Sequence, residues 1–159
     1  MHKLTRTRHL GPRLLTQDLA TESPLDPLES HQALALSDWN GRVITTYRPD
    51  AIINPHASAT HDGGFAGAIE ELGTITGLGT TSWHGYLDAH RDRRAYFRSF
   101  GATATDHGHP TAFTTVLDQT EAATLFDKAL QGQISAHDAE LFRGHMLVEM
   151  ARMSCEDGM

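Results

Sequence analysis

Apolar residues recur every three or four positions in the second half of the chain and predict four helices. The first stripe runs from Phe65 to Ile75 and the second begins at Trp83. The third follows Asp118, and the last extends from Ser135 through Met153. Ser82, Asp118 and Ser135 can cap the helices that follow them, and Asp118 with Glu121 has capping-box spacing. Glycines 77 and 132 mark two of the C-terminal ends.

Shorter elements are predicted in the first half of the chain and just before Asp106. Arg42 to Tyr47 is rich in β-branched residues and is the best strand. Residues 13–17 predict a brief strand that ends at Asp18, and residues 102–105 predict a third. Asp26 to Glu29 has the spacing of a capping box for a helix that reaches about Leu36, and residues 51–64 read as a long loop. Strands separated by helices indicate a parallel sheet with crossover connections.

Ionisable side chains follow two of these strands. Arg48 comes directly after the second strand, and its planar guanidinium can bind a carboxylate or phosphate with two donors. An ion pair with Asp50 is the simpler interpretation of Arg48. Asp106, His107 and His109 follow the third strand, at the edge where parallel α/β proteins bind ligands. This turn is interpreted as an ordinary polar turn, as an acid/base or substrate contact, or as a metal site that uses both histidines.

Composition excludes some partners. The chain has 159 residues and a formal net charge of −7, so neither nucleic acid nor an anionic membrane surface is an expected partner. The single cysteine, Cys155, excludes an internal disulfide and is typical of a cytoplasmic protein. No apolar run approaches the roughly 20 residues that span a bilayer. Four arginines between Tyr86 and Ser99 are expected on the solvated side of their helix: Arg91, Arg93, Arg94 and Arg98.

Several motifs, in this order along the chain, resemble the glucuronate (uronate) isomerase family. They are Thr-Tyr-Arg-Pro-Asp at 46–50, Trp83 with Tyr86-Leu87, Arg-Arg-Ala-Tyr-Phe at 93–97, Gly-Ala-Thr-Ala-Thr-Asp-His-Gly-His-Pro at 101–110, and Glu-Met-Ala-Arg-Met-Ser at 149–154. The resemblance covers residues 26–159, a middle segment of the family, whereas residues 1–25 are expected to be a poorly matching lead-in.

The resemblance implies an α/β fold, part of a distorted (β/α)8 barrel of the amidohydrolase superfamily with about three β/α units. It also implies interconversion of D-glucuronate with D-fructuronate, and of D-galacturonate with D-tagaturonate. The expected partner is therefore a small anionic sugar. Arg48 matches a substrate-binding arginine and Asp106 a catalytic aspartate, with His107 as a neighbouring substrate contact. No role for His109 follows from the resemblance.

The metal-binding His-x-His pair of the family belongs to its first strand, and His107-Gly108-His109 follows a different one. A divalent metal such as zinc is therefore implied for the full-length family, and no catalytic metal is expected in this chain. We expect the chain to be inactive alone. Two alternatives are a non-catalytic module that associates with itself through open strand edges, and a small metal hydrolase that uses His107 and His109.

Overall fold

Two parallel strands and six helices form the part of the chain that the computed structural model describes, residues 17–56 and 61–159. Among these residues, no helix combines the length and the apolar character that a bilayer-spanning helix needs. The elements are β1 (Gln17–Glu22), α1 (Glu29–Ala35), β2 (Arg42–Tyr47), α2 (Asp50–Ile53), α3 (Gly64–Thr76), α4 (Trp83–Ser99), α5 (Gln119–Leu130) and α6 (Ala136–Asp157).

The two strands pair in parallel along their whole length, from Gln17 opposite Arg42 to Glu22 opposite Tyr47. The predicted bounds of β2 are confirmed. The prediction that the first strand ends at Asp18 is wrong, because β2 offers a partner to every residue as far as Glu22. Residues 13–16 lie outside the described residues. The domain boundary at residue 25 stays a prediction, although β1, which precedes it, belongs to the sheet.

The predicted third strand is wrong in extent, since residues 102–105 contribute only one parallel bridge, between Thr105 and Tyr47. The segment passes beside β2, and an added Cβ at Gly101 would come within 3.0 Å of the Arg42 guanidinium. It reaches hydrogen-bonding distance only at its end. Thr103 and Ala104 are exposed, and within the described residues no strand pairs with the other side of this segment. Among residues 17–56 and 61–159 the sheet therefore has two strands and one bridge, not three strands.

Local capping determines where three helices begin, as predicted. The Ser82 and Ser135 side chains accept hydrogen bonds from the amides of Gly85 and Asp138. Asp118 and Glu121 form the reciprocal capping box. These side chains satisfy amides that would otherwise have no partner in the first helical turn.

The capping box predicted at Asp26 is wrong. The residue at the start of α1 is Leu28, which has a φ of 56° and makes no side-chain cap. Asp26 Oδ1 instead accepts a hydrogen bond of 2.6 Å from the Leu28 amide. The side chain of Leu28 is fully buried, and its backbone adopts the left-handed conformation. Leu28 therefore occupies the capping position predicted for Asp26.

The predicted loop between residues 51 and 64 contains the short helix α2, which buries Ile52 and Ile53 completely. These residues join a core to which α3, α4, α5 and α6 all contribute. Aromatic rings from different helices meet at its centre, where Tyr86 stacks on Phe126 at 4.5 Å between centroids. The Tyr86 hydroxyl donates to the Ile52 carbonyl at 2.6 Å, which connects α4 to α2.

Two of the four arginines expected in solvent are buried, so that expectation is wrong for Arg93 and Arg94. Arg93 donates to the backbone carbonyls of Pro24 and Asp26 at 2.7 and 2.8 Å. Arg94 forms a two-donor ion pair with Asp157 at 2.7 and 2.8 Å. Each buried guanidinium thus has fixed acceptors in a distant segment, which compensates for part of the lost hydration, although Nη1 of Arg94 is buried without a hydrogen-bond partner.

The end of β2 is attached to α4 by a buried side-chain contact between Tyr47 and His90. The Tyr47 hydroxyl lies 2.8 Å from Nδ1 of His90, and both residues are fully buried. Burial, followed by the positive charges of Arg94 and Arg91, lowers the pKa of His90 to about 3. His90 is therefore neutral at pH 7 and resists protonation in the folded state.

We predict that His90 makes the fold sensitive to acid. Above pH 6.5 the imidazole is neutral in both states and has no effect. Below that pH the unfolded chain takes up a proton that the folded chain refuses until about pH 3, so the free energy of unfolding falls. We expect the free energy of unfolding to fall by about 2 kcal/mol less in His90→Asn than in the unmodified chain when the pH is lowered from 7 to 5. Asparagine is chosen because it keeps a polar partner for Tyr47.

Urea unfolding at several pH values measures this difference. His84→Asn, at an exposed histidine of the same helix, is the matched control and should reproduce the pH dependence of the unmodified chain. Parallel stability curves for His90→Asn and the unmodified chain would contradict the prediction.

Candidate functional site

The candidate site lies where β2 ends beside the segment 104–109. The Tyr47 amide donates to the Ala104 carbonyl at 3.2 Å, and the Asp106 amide donates to the Tyr47 carbonyl at 3.0 Å. These two bonds run in the parallel sense and align the C-terminal ends of both segments. Arg48 and Asp106, which follow directly, therefore lie at the same edge, as strand-end reasoning predicts.

Arg48 bridges two carboxylates at this edge. Its Nη2 lies 3.1 Å from Asp106 Oδ2, and its Nε lies 3.3 Å from Asp50 Oδ2. The expected pair with Asp50 is present, but it is one half of a three-residue ion cluster. The side chains of Arg48 and Asp106 are 44% and 41% exposed. Solvent screening keeps such a pair weak, so a competing anion can reach Arg48.

Asp50 connects α2 to the turn after Asp106. Its Oδ2 accepts a hydrogen bond of 2.9 Å from the Gly108 amide as well as the contact from Arg48. The turn approaches so closely that a Cβ at position 108 would lie 2.8 Å from this oxygen. Glycine at 108 therefore lets the backbone approach the carboxylate without displacing it.

His107 and His109 lie side by side, with ring centroids 5.4 Å apart and planes inclined by 29°. The His109 side chain is only 4% exposed, and its Nδ1 lies 3.4 Å from Asp50 Oδ1. Burial is the main cause that lowers the pKa of each imidazole, and the neighbouring His109 lowers that of His107 further. Both rings are thus biased toward the neutral form, which has one nitrogen lone pair available.

The structure brings Asp50, His107 and His109 together in one cluster, and one potential ligand atom from each lies within 4.8 Å of the others. Sequence reasoning identified the two histidines but missed Asp50, which it assigned only to Arg48. Asp50 lies two residues after Arg48, at the end of β2. This position, at the same edge of the sheet as the His-Gly-His turn, is the signal that could have identified it.

The site is an open strand edge, not an enclosed cavity. Two surface grooves of about 420 and 780 Å³ lie elsewhere, the first beside Trp39 and the second between α3 and the loop after it. Neither is lined by Arg48, Asp50 or Asp106.

The sequence and the fold of this chain are similar to those of known proteins. The family model described as glucuronate isomerase matches residues 9–159. The chain belongs to the glucuronate isomerase family. The match begins well before residue 26, where the motif resemblance begins, and it includes β1.

A uronate isomerase from Xanthomonas oryzae pv. oryzae (strain MAFF 311018) is 51% identical over 140 residues, which are 87% of this chain and 28% of that protein. The crystal structure of glucuronate isomerase from Caulobacter crescentus superposes with a TM-score of 0.81 at 44% identity, over 89% of this chain and 28% of that one. The chain thus spans less than a third of the length of these relatives.

A uronate isomerase structure from Thermotoga maritima, 23% identical, has a TM-score of 0.80 and covers 88% of this chain and 30% of that one. At this identity the likeness concerns the fold alone. The same arrangement of strands and helices thus occurs in a chain in which most of the aligned residues differ.

We predict that Gly108→Ala destabilises the site. The added Cβ would lie 2.8 Å from Asp50 Oδ2 and 3.4 Å from Arg48 Nη2, so the carboxylate must move. We expect the free energy of unfolding to fall by about 1 kcal/mol, the lower end of overpacking costs, because the turn is partly exposed.

Gly79→Ala is the matched control, since Gly79 is also an exposed glycine outside the helices and its Cβ would have no atom within 4 Å. Urea unfolding of both variants measures the difference. An equal effect of the two substitutions would show that Gly108 is not held against Asp50.

Proposed function

We propose that this chain is a segment of a uronate isomerase and that Arg48 and Asp106 lie in the active site of that enzyme. The observation that carries the proposal is the 3.1 Å contact between Arg48 Nη2 and Asp106 Oδ2 at one edge of the fold. The reaction is the interconversion of D-glucuronate with D-fructuronate, and of D-galacturonate with D-tagaturonate. It takes place by proton transfer between C1 and C2 of the open sugar.

The architecture that goes with this proposal is part of a (β/α)8 barrel of the amidohydrolase superfamily. Support comes from the parallel β1 and β2 joined through α1, and from the bridge that places the next segment alongside β2 in the same sense. The TM-score of 0.81 against 28% of a glucuronate isomerase structure is consistent with a barrel segment. In such barrels the active site lies at the C-terminal ends of the strands, where Arg48 and Asp106 are located.

Each residue has a chemical role in this proposal. Arg48 binds the substrate carboxylate, since its guanidinium offers paired donors and is 44% exposed. Asp106 holds or moves the proton between C2 and C1, and Arg48 beside it keeps the carboxylate in position. His107 contacts the sugar as a neutral imidazole, because burial lowers its pKa.

The resemblance assigns the metal of this family to a His-x-His pair on the first strand, and the His-Gly-His turn at 107–109 follows a later segment. When bound, such a metal supplies positive charge for the enediol oxygen. The turn does not fit that role by its place in the fold, so no step here depends on it.

Net charge and cysteine content support the partner class and the compartment of this proposal. The sugar is a small anion, and the net charge of −7 is unsuited to nucleic acid. Cys155 lies exposed on α6 as a free thiol, which is consistent with a reducing cytoplasm.

We predict that the 159-residue polypeptide by itself shows no turnover in a coupled uronate isomerase assay. Activity should be present when residues 17–159 replace the matching segment of the Caulobacter crescentus enzyme. In that chimera Asp106→Asn should reduce kcat by about 10²- to 10⁴-fold, because the proton-transfer group is lost. Arg48→Lys should mainly raise KM, because lysine cannot offer two parallel donors to the substrate carboxylate.

Asp88→Asn is the control, since this exposed carboxylate makes only a 3.5 Å contact with Arg91 and lies on α4. It should leave both kinetic constants unchanged. If the chimera does not fold, the same substitutions at the aligned positions of the intact Caulobacter enzyme test the same roles. Full activity after the change at Asp106 would refute the proposal.

An open strand edge favours one alternative from another class, a non-catalytic module that associates with itself. Leu19 of β1 is 64% exposed, and within the described residues β1 pairs only with β2. Size-exclusion chromatography with light scattering distinguishes the two functions. A stable dimer that Leu19→Lys dissociates would support the module, whereas a monomer at all concentrations would exclude it. The isomerase proposal predicts no such Leu19-dependent dimer.

A further inference from the structure

Buried polar atoms without hydrogen-bond partners are concentrated at one place in the described structure. Four of the eight such atoms are Asp50 Oδ1, His107 Nδ1 and both ring nitrogens of His109, whereas the other four belong to four separate side chains. Buried polar groups normally have partners, because an unsatisfied group costs about 1 to 3 kcal/mol. Four such atoms in three neighbouring side chains indicate that this cluster is built for a ligand that the polypeptide itself does not supply.

The distances within the cluster match a metal ion better than a hydrogen bond. Asp50 Oδ1 and His109 Nδ1 are 3.4 Å apart but are too poorly aligned to bond to each other. Two ligands at about 2.1 Å from a tetrahedral zinc ion are about 3.4 Å apart. One potential ligand atom from each of the three residues lies within 4.8 Å of the others, so small rotations of the imidazoles would complete the site.

The second oxygen of Asp50 is held in a way that orients the first. Oδ2 accepts from the Gly108 amide at 2.9 Å and contacts Arg48 Nε at 3.3 Å. Oδ1 consequently points to the histidines. Outer contacts of this kind fix the orientation of a metal-binding carboxylate in known sites.

The chemistry of the donors is equally suitable. Two imidazoles and one carboxylate form the His₂-carboxylate set of many zinc sites, with a fourth position left for water. Both imidazoles favour the neutral form that a metal requires, because burial lowers the pKa of each. Imidazole nitrogen selects zinc and its neighbours over magnesium or calcium.

We propose that Asp50, His107 and His109 bind one divalent transition-metal ion of the zinc type. The ligands belong to α2 and to the turn after residue 105, whereas the resemblance assigns the metal pair of the family to the first strand. The ion would fix α2 against this turn. The inference does not depend on the isomerase proposal, since binding is measured without turnover.

Isothermal titration of the 159-residue chain with zinc chloride at pH 7 tests the proposal. We expect one saturable site whose affinity falls by about tenfold or more in Asp50→Asn, His107→Gln and His109→Gln. His61→Gln is the matched control, since His61 contacts Glu71 at 2.6 Å in a separate histidine-carboxylate pair. It should leave this site unchanged.

Circular dichroism checks that each variant is folded. NMR of the unmodified chain with added zinc tests the same site without any substitution. In NMR spectra, one equivalent of zinc should shift the imidazole resonances of His107 and His109 before those of any other histidine. No saturable binding would overturn the proposal. So would a tight site that survives the three substitutions, or zinc-induced shifts confined to other histidines among the 11.

Discussion

The two backbone hydrogen bonds of Tyr47, to Ala104 and Asp106, determine the geometry of the site. They place the residue after β2 next to the residue after the neighbouring segment, which brings Arg48 into contact with Asp106. The Tyr47 side chain extends in the opposite sense, into the core, where it contacts His90 and stacks edge-on against Phe97 at 5.2 Å. Because the buried Tyr47 side chain holds the end of β2 in place, the exposed ion cluster beside it is attached to a rigid part of the backbone.

Arg93 and Arg94, the buried arginines of α4, connect the segments that surround the Tyr47 side chain. Arg94 reaches the far end of α6 through Asp157 and also lies 5.7 Å from the Tyr47 ring centre. Hydrogen bonding to Arg94 lowers the pKa of Asp157, so this carboxylate remains charged over the neutral range. Arg93 ties the same helix to the connection between β1 and α1. One helix therefore joins the N-terminal strand, the central strand and the last helix.

The parts of the fold that could be predicted from sequence are those whose cause is local. Ser82, Asp118 and Ser135 act within one helical turn, and β2 has strand-forming residues throughout. Burial of Arg93 and Arg94 could not be predicted, because their acceptors lie more than 60 residues away. The length of β1 could not be predicted either, because it depends on pairing with β2. Residues 102–105 do not form the predicted strand, since they have no partner on their other side within the described residues. At the site, the positions of Arg48 and Asp106 after strands were enough to select them from the sequence. Asp50 was identified only in the structure, where the turn around Gly108 folds back onto it.

Charge at the strand end links the site to its role in a longer enzyme. Arg48 contacts two carboxylates, so the three side chains together carry a formal charge of −1. A hexuronate brings a further negative charge, and like charges at this distance repel. Arg48 can bind the sugar carboxylate and keep its contact with Asp106 only if other cations approach the same edge. In the isomerase proposal those cations come from the part of the relatives that this chain does not cover, more than two thirds of their length. A divalent ion on Asp50 would act in the same direction.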